Sequence, residues 1–351
     1  MTAEELAKLV DDGDLVSKIS LAGANLAGGS FLSANFDHVD FTNADLRDAK
    51  LGQSNFLHCT LTGANLERAD LGRVTFIECD LAGASLAGAR LDHAKFVKCG
   101  LARARLTGTK LSHTAMVECD LTGTVFAGVQ FERSSIVKCT TPGIDISGTE
   151  WHRAVFLNAD LRAARIDGAR FFRSTLIGVN FAGRPLPGFA VTACALNGAD
   201  FTGCDLTGAD LTQCMLIGAT LPGAVLTGAK LARAVLKGAV LTRADLSGAD
   251  LTQAILIDAD ATEAVFAKAT LFQCTATGLI AAGADFRGAD LTNADFSHAN
   301  LDRANLGGVK LDRTNFHAIS EQDARIPSRQ GALPPDPDRI RAETWHQQAR
   351  A

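Results

Sequence analysis

Large apolar side chains recur at every fifth position from Leu21 to Phe316; Leu26, Phe31, Phe36, Phe41, Leu46 and Leu51 follow without a change of phase. Sixty consecutive places share this register, and only Thr141, Ala261, Ala276 and Ala281 among them are not large and apolar. Two residues before each lies a second inward-looking place, held mostly by Ala (Ala24, Ala34, Ala44, Ala64) and otherwise by small residues. The other three places are polar or Gly. A period of five fits neither a helix of 3.6 residues per turn nor a strand alternating by two. The backbone must therefore coil in another way, with one large and one small side chain per pentad inside.

Runs such as Ala199-Asp200-Phe201-Thr202-Gly203 and Ala289-Asp290-Leu291-Thr292-Asn293 follow an A(D/N)LXX pattern that closely resembles the pentapeptide-repeat superfamily, and the resemblance covers residues 19–318. It implies an all-β fold, a right-handed quadrilateral β-helix solenoid of about 15 coils, with four pentads per coil, so that residues 20 apart stack. Open solenoid ends expose unpaired strand edges and need caps. Residues 1–18 are expected to form a helical N-terminal cap, with Leu6, Leu9 and Val10 on one side. Residues 319–351 are expected to form a tail with a short helix near 338–348, where Trp345 either covers the last coil or belongs to a mobile peptide for a partner.

Three interruptions are expected in the array. Near 140–150, Thr141 is small for a centre, Ile144 is large for its partner place, and Pro142 lacks an N–H, which predicts a bulge. Near 182–195, Arg184, Pro185, Pro187 and Phe189 predict a protruding loop that is a candidate recognition element. Near 276–284, Ala276 and Ala281 weaken the core around Leu279.

The hydrophobic fraction of 47%, the absence of Tyr and the presence of only two Trp suit a narrow, uniform interior. A net charge of −5 marks neither a nucleic-acid binder nor an extreme polyanion. No run of 18 apolar residues exists, and the first residues lack the basic-then-apolar layout of a signal peptide, so a cytoplasmic location is expected. All nine Cys fall in the small inward place, without CxxC or a Cys/His cluster. That placement points to packing and not to metal or redox chemistry.

Stacking at intervals of 20 turns the outward places into faces. Leu57, Ile77, Val97, Val117, Val137, Leu157 and Ile177 align as an apolar stripe beside Cys59, Cys79, Cys99, Cys119 and Cys139. β-propensity alone accounts for such residues; an interaction surface is the alternative. Glu78, Lys98, Glu118 and Lys138 alternate in sign next to it. Arg73, His93, His113, Arg133, Arg153 and Arg173 form a basic face, solvated or facing an anionic partner, with Asp92 and Glu132 alongside. The pairs Asp205/Asp210, Asp245/Asp250 and Asp285/Asp290 suit bonds to backbone donors at coil corners.

No Walker loop, dinucleotide fingerprint, nucleophile elbow or zincin pair is present. The expectation is a non-enzymatic protein-interaction scaffold with no cofactor, no metal and no small-molecule substrate. Its partner would be a protein or a second copy, without a membrane; the charge balance argues against nucleic acid. In style the long array is similar to members of the superfamily associated with bacterial secretion machinery, including type VI systems. The alternative implied by the resemblance is a DNA mimic that protects a type II topoisomerase, DNA gyrase.

Overall fold

The structure is a computed structural model that describes residues 2–326, 328–334 and 336–348, with side chains described as far as residue 343. Its contacts divide it into two units, Met1–Asn180 and Phe181–Ala351.

One coil rule operates in both units. A centre's N–H donates to the carbonyl 19 residues on, as from Leu21 to Asp40 (2.6 Å) and from Leu221 to Val240 (2.7 Å). The third residue of the pentad does the same, as from Asn43 to Thr62 (2.9 Å). The fourth, small inward residue closes a turn onto the centre, as from Ala24 N–H to Leu21 O (3.0 Å). The fifth donates back to the previous coil, as from Asp45 to Ala24 (2.9 Å). Only the second residue's N–H lies outside the ladder. The carboxylate just before the centre takes it, as when Thr42 N–H donates to Asp40 Oδ1 (2.9 Å). In a turned pentad with such a carboxylate, every backbone donor thus has an acceptor. The third residue carries a positive φ, as at Asn43 (55°) and Arg73 (60°), and its side chain points to solvent.

In the N-terminal unit, helix α1 (Ala3–Asp11) starts with a capping box between Thr2 and Glu5, buries Leu6 and Val10 and packs against the first strand. Two sides of this unit carry three-residue parallel strands. One sheet contains β1 (Leu15–Ser17), β2 (Asn35–Asp37), β3 (Asn55–Leu57), β4 (Thr75–Ile77), β5 (Lys95–Val97), β7 (Ala115–Val117), β9 (Ser135–Val137) and β11 (Val155–Leu157). The other contains β6 (Lys110–Ser112), β8 (Gln130–Glu132), β10 (Glu150–His152) and β12 (Arg170–Phe172). All pairs are parallel and offset by 20 residues. Their centres stack as columns: Phe36, Phe56, Phe76 and Phe96 at 4.7–5.0 Å between ring centroids, and Phe131 on Trp151 at 3.7 Å. The buried Trp151 indole N–H donates to Thr149 Oγ1 (2.8 Å).

In the C-terminal unit one strand, β13 (Ala190–Thr192), is followed by isolated parallel bridges at the same 20-residue offset, such as Asp205↔Val225 and Asp245↔Val265. Ala and Leu fill its interior. Past the last pentads the chain turns back on itself: Arg313 N–H donates to Gly331 O (2.7 Å) and Leu333 N–H to Thr314 O (2.9 Å). These bonds occupy polar edge groups that an open end would leave unpaired. Helix α2 (Pro337–Gln348) follows. The side chain of Trp345 is outside the described residues.

None of the three interruptions breaks the coil. At 140–150 the two inward places have exchanged size: Thr141 is the centre, Ile144 fills the partner place fully buried, and the Thr141 hydroxyl donates to Asp160 O (3.0 Å). At 276–284, Ala276 and Leu279 make the same exchange, and both are fully buried. These two exchanges keep the volume of their pentads, which packed interiors tolerate, whereas Ala281 is partnered by the equally small Ala284. Pro142 and Pro187 occupy the second place, whose N–H is outside the ladder, so neither removes a ladder bond there. At 182–195 the expected protruding loop is replaced by coil that keeps its forward bonds: Gly183, Leu186, Gly188 and Val191 all donate to the next coil, and only Pro185, at the fifth place, lacks an N–H to donate back. Phe189 is buried edge-on to Phe181 (5.5 Å) beside the small centre Val191, while Arg184 stays partly exposed.

Candidate functional site

The apolar stripe is a physical row. Leu57, Ile77, Val97, Val117, Val137 and Leu157 end successive strands and are direct partners in the ladder (Leu57↔Ile77, Ile77↔Val97, Val97↔Val117, Val117↔Val137, Val137↔Leu157). Each is half-buried, and Ile177 beyond them is 39% exposed.

The cysteines bond across the coils on this pleated side. At several of its open corners the centre's carbonyl accepts a side-chain bond from one coil further on. Cys79 Sγ donates to Phe56 O (3.3 Å) and Cys119 Sγ to Phe96 O (3.4 Å), while Cys119 N–H donates to Cys139 Sγ (3.4 Å). On the other pleated side Ser134 Oγ donates to Leu111 O (2.8 Å) and Ser174 Oγ to Trp151 O (3.0 Å). The same side chains accept from Thr114 and Ala154 N–H. The thiols therefore bridge coils as well as fill space. All nine are free, and eight are fully buried. Hydrogen bonding to neighbouring thiols and then burial hold Cys79 and Cys139 above the usual thiol range; burial pushes Cys214 and Cys274 up to about 12. Such thiols are unreactive.

Beside the stripe, Lys98 pairs with Glu78 (3.5 Å) and Lys138 with Glu118 (3.7 Å). These exposed pairs are each worth a few tenths of a kcal/mol, about 0.2–1, and their main effect is to neutralise the row's flank.

Arg73, His93, His113, Arg133, Arg153 and Arg173 all sit at the third, left-handed place (φ 49–60°) and are exposed. His93 and His113 stack at 4.7 Å. Arg90 binds Asp70 (2.6 Å) and approaches Asp92 (3.7 Å), and Arg133 approaches Glu132 (3.5 Å). Gly72 leaves room for the Arg90 guanidinium: a Cβ there would lie 2.7 Å from Nη2. Arg173 lies over the exposed Phe172 ring (5.1 Å). The face is thus partly neutralised at its start and more openly basic at Arg153 and Arg173.

The acidic pairs are structural. Thr207, Thr212, Ser247, Thr252, Arg287 and Thr292 N–H groups donate to Asp205, Asp210, Asp245, Asp250, Asp285 and Asp290 at 2.9–3.1 Å. The bond from the Thr207 side chain holds the Asp205 carboxyl below its ordinary range, and the Arg287 guanidinium does so for Asp285.

Two features escaped the sequence reading. In the C-terminal unit, Met215, Val235 and Ile255 bridge in sequence, with Met215 43% and nearby Ile217 38% exposed, forming a second apolar patch. The alternation of small and large residues just before the centre was the available signal. The other is a polar cluster of His298, His317 and Glu343, in which the neighbouring His317 and Arg339 hold the Glu343 carboxyl down to about 2.

Models of pentapeptide repeats match residues 17–53, 49–121, 194–231, 221–256, 244–278 and 282–317. The chain belongs to the pentapeptide-repeat superfamily. Among solved structures it is similar to full-length QnrB1, a plasmid-mediated fluoroquinolone resistance protein (19% identity, 58% of this chain and 93% of that one, TM-score 0.37). It is also similar to HetL of Nostoc sp. strain PCC 7120, involved in heterocyst differentiation regulation (22%, 96% and 98%, TM-score 0.15). A third likeness is to a pentapeptide-repeat protein from the Arabidopsis thaliana thylakoid lumen (31%, 34% and 68%, TM-score 0.21). No curated protein matches. These superfamily likenesses concern the coil. Among the described residues no helix is long and apolar enough to cross a membrane.

Proposed function

We propose that the protein is a non-enzymatic scaffold that binds a protein partner through the aliphatic row from Leu57 to Ile177 of its N-terminal unit. The observation that carries this reading is the direct stacking of six aliphatic side chains, Leu57 to Leu157, with Ile177 beyond them, at a place the coil presents to solvent. Contiguous apolar surface of this kind marks interaction sites, and the paired charges along its flank favour a neutral, apolar counterpart.

The test is Val97→Glu with Val117→Glu, read by light scattering for self-association and by pull-down for other proteins. Complex formation should fall at least tenfold while circular dichroism stays unchanged; undiminished association sinks the reading. The secretion-assembly expectation gains no support from these likenesses. Topoisomerase protection is the second reading, and the likeness to QnrB1 bears on the fold alone. Protection of gyrase from a quinolone by the purified protein would favour it over the row.

A further inference from the structure

The end of the C-terminal unit brings together three donor side chains far apart in sequence. His298 stands at a left-handed third place (φ 61°). His317 stands at the second place of the next coil, and His298 N–H donates to the His317 carbonyl (2.8 Å), which fixes the two rings on adjoining rungs. Glu343 reaches them from α2: Oε2 lies 2.9 Å from His317 Nε2 and Oε1 lies 3.3 Å from His298 Nε2. His317's side chain is only 3% exposed, and its Nδ1 is buried without a partner. All of that ring's polar bonding therefore runs through Nε2, toward the cluster.

We propose that His298, His317 and Glu343 form a binding site for a divalent transition metal, zinc by the chemistry of its donors, that clasps α2 to the last coils. Two imidazoles and one carboxylate, with a fourth position left to solvent, are a donor set that zinc takes at bond lengths of about 2.0–2.2 Å, which places neighbouring donors in a tetrahedron about 3.3 Å apart. One Glu343 oxygen lies 2.9 Å from His317 Nε2 and the other 3.3 Å from His298 Nε2, separations close to such an edge, and the ligand atoms of all three side chains lie within 4.8 Å of one another, so a cation replaces the shared protons with modest movement. Arg339 opposes it: its Nε donates to Glu343 Oε1 (3.0 Å) and must swing aside. His317 Nδ1 has no outer partner to fix the ring's tautomer, so affinity should be about 10- to 100-fold below that of a site with a complete outer shell.

The Asp37, His38 and His58 cluster of the N-terminal unit supplies an internal control. Its donors also lie close together, with His38 and His58 Nδ1 2.8 and 3.3 Å from Asp37 Oδ1, but it has no buried imidazole to correspond to His317.

The test titrates the full chain with Co²⁺, reading the visible absorption of tetrahedral cobalt and its loss when Zn²⁺ is added. One equivalent should bind. His298→Ala and Glu343→Gln should each weaken binding at least tenfold, His58→Ala should leave it unchanged, and Arg339→Gln should tighten it several-fold. Limited proteolysis should cut the tail more slowly with Zn²⁺ than with EDTA. His317 is packed into the coil, so substitutions at the more exposed ligands His298 and Glu343 decide the outcome. Absence of uptake, uptake equal in His298→Ala, or uptake abolished by His58→Ala overturns the proposal. The result is independent of the aliphatic row.

Discussion

The N-terminal and C-terminal units obey one coil rule and close their corners differently. In the N-terminal unit twelve short strands open the corners on two sides, aromatic centres stack in columns, and outward rows of aliphatic and basic residues form. In the C-terminal unit β13 is the only strand among the described residues, Ala holds most small inward places, and turns close the corners. An open corner forfeits the turn bond between the fourth residue and the centre. At several open corners a thiol or hydroxyl one coil on takes its place, as at β13, where Cys214 Sγ donates to Val191 O, whereas Ala154 and Ala159 hold the corresponding places for β8 and β9. Cys204 makes the same bond to Phe181 O, whose corner is still a turn. The small polar side chain therefore neither imposes an open corner nor is required for one.

The comparison breaks most readily at Trp151. Trp151→Ala should cost about 3–5 kcal/mol and speed amide exchange in β8, β10 and β12. Equal loosening across residues 221–300 would show that the columns do not anchor the N-terminal unit in particular. A smaller effect concerns volume in the C-terminal unit. Ala276→Leu alone should overpack the coil by about 1–3 kcal/mol, and Leu279→Ala added to it should restore most of that in denaturant melts. Failure of the double variant to recover would mean that the two inward places are not interchangeable. Smallest is the thiol bridge: Cys79→Ala should lose about 0.5–1.5 kcal/mol and Cys79→Ser much less. Identical losses would reduce the cysteine column to packing alone.

The coil itself was legible because one five-residue register carries the whole interior, and the paired Asp residues before centres were correctly tied to corner donors. Corner type was not legible: the side-chain bonds of Cys79 and Ser134 join residues 23 apart at open corners, and Thr114 and Thr124 make the same bond at turned ones. The expected interruptions failed for a related reason. Thr141 with Ile144, and Ala276 with Leu279, look defective one place at a time and balanced as pairs. Pro142 and Pro187 look disruptive until the second place is known to sit outside the ladder. For the candidate sites, sequence placed the aliphatic and basic rows by counting, whereas the His298, His317 and Glu343 cluster depends on a tail that folds back by no periodic rule.

The spacing of the phenylalanine column, 4.7–5.0 Å per coil, also sets the pitch of the aliphatic row outside it. An α-helix advances about 5.4 Å per turn, so a helical counterpart drifts out of step by roughly half an ångström with each rung and loses phase over seven. Stacked strands repeat at about 4.7–4.9 Å and stay commensurate from Leu57 to Ile177. With the row as the binding face proposed above, that pitch favours a counterpart built from layered β-strands.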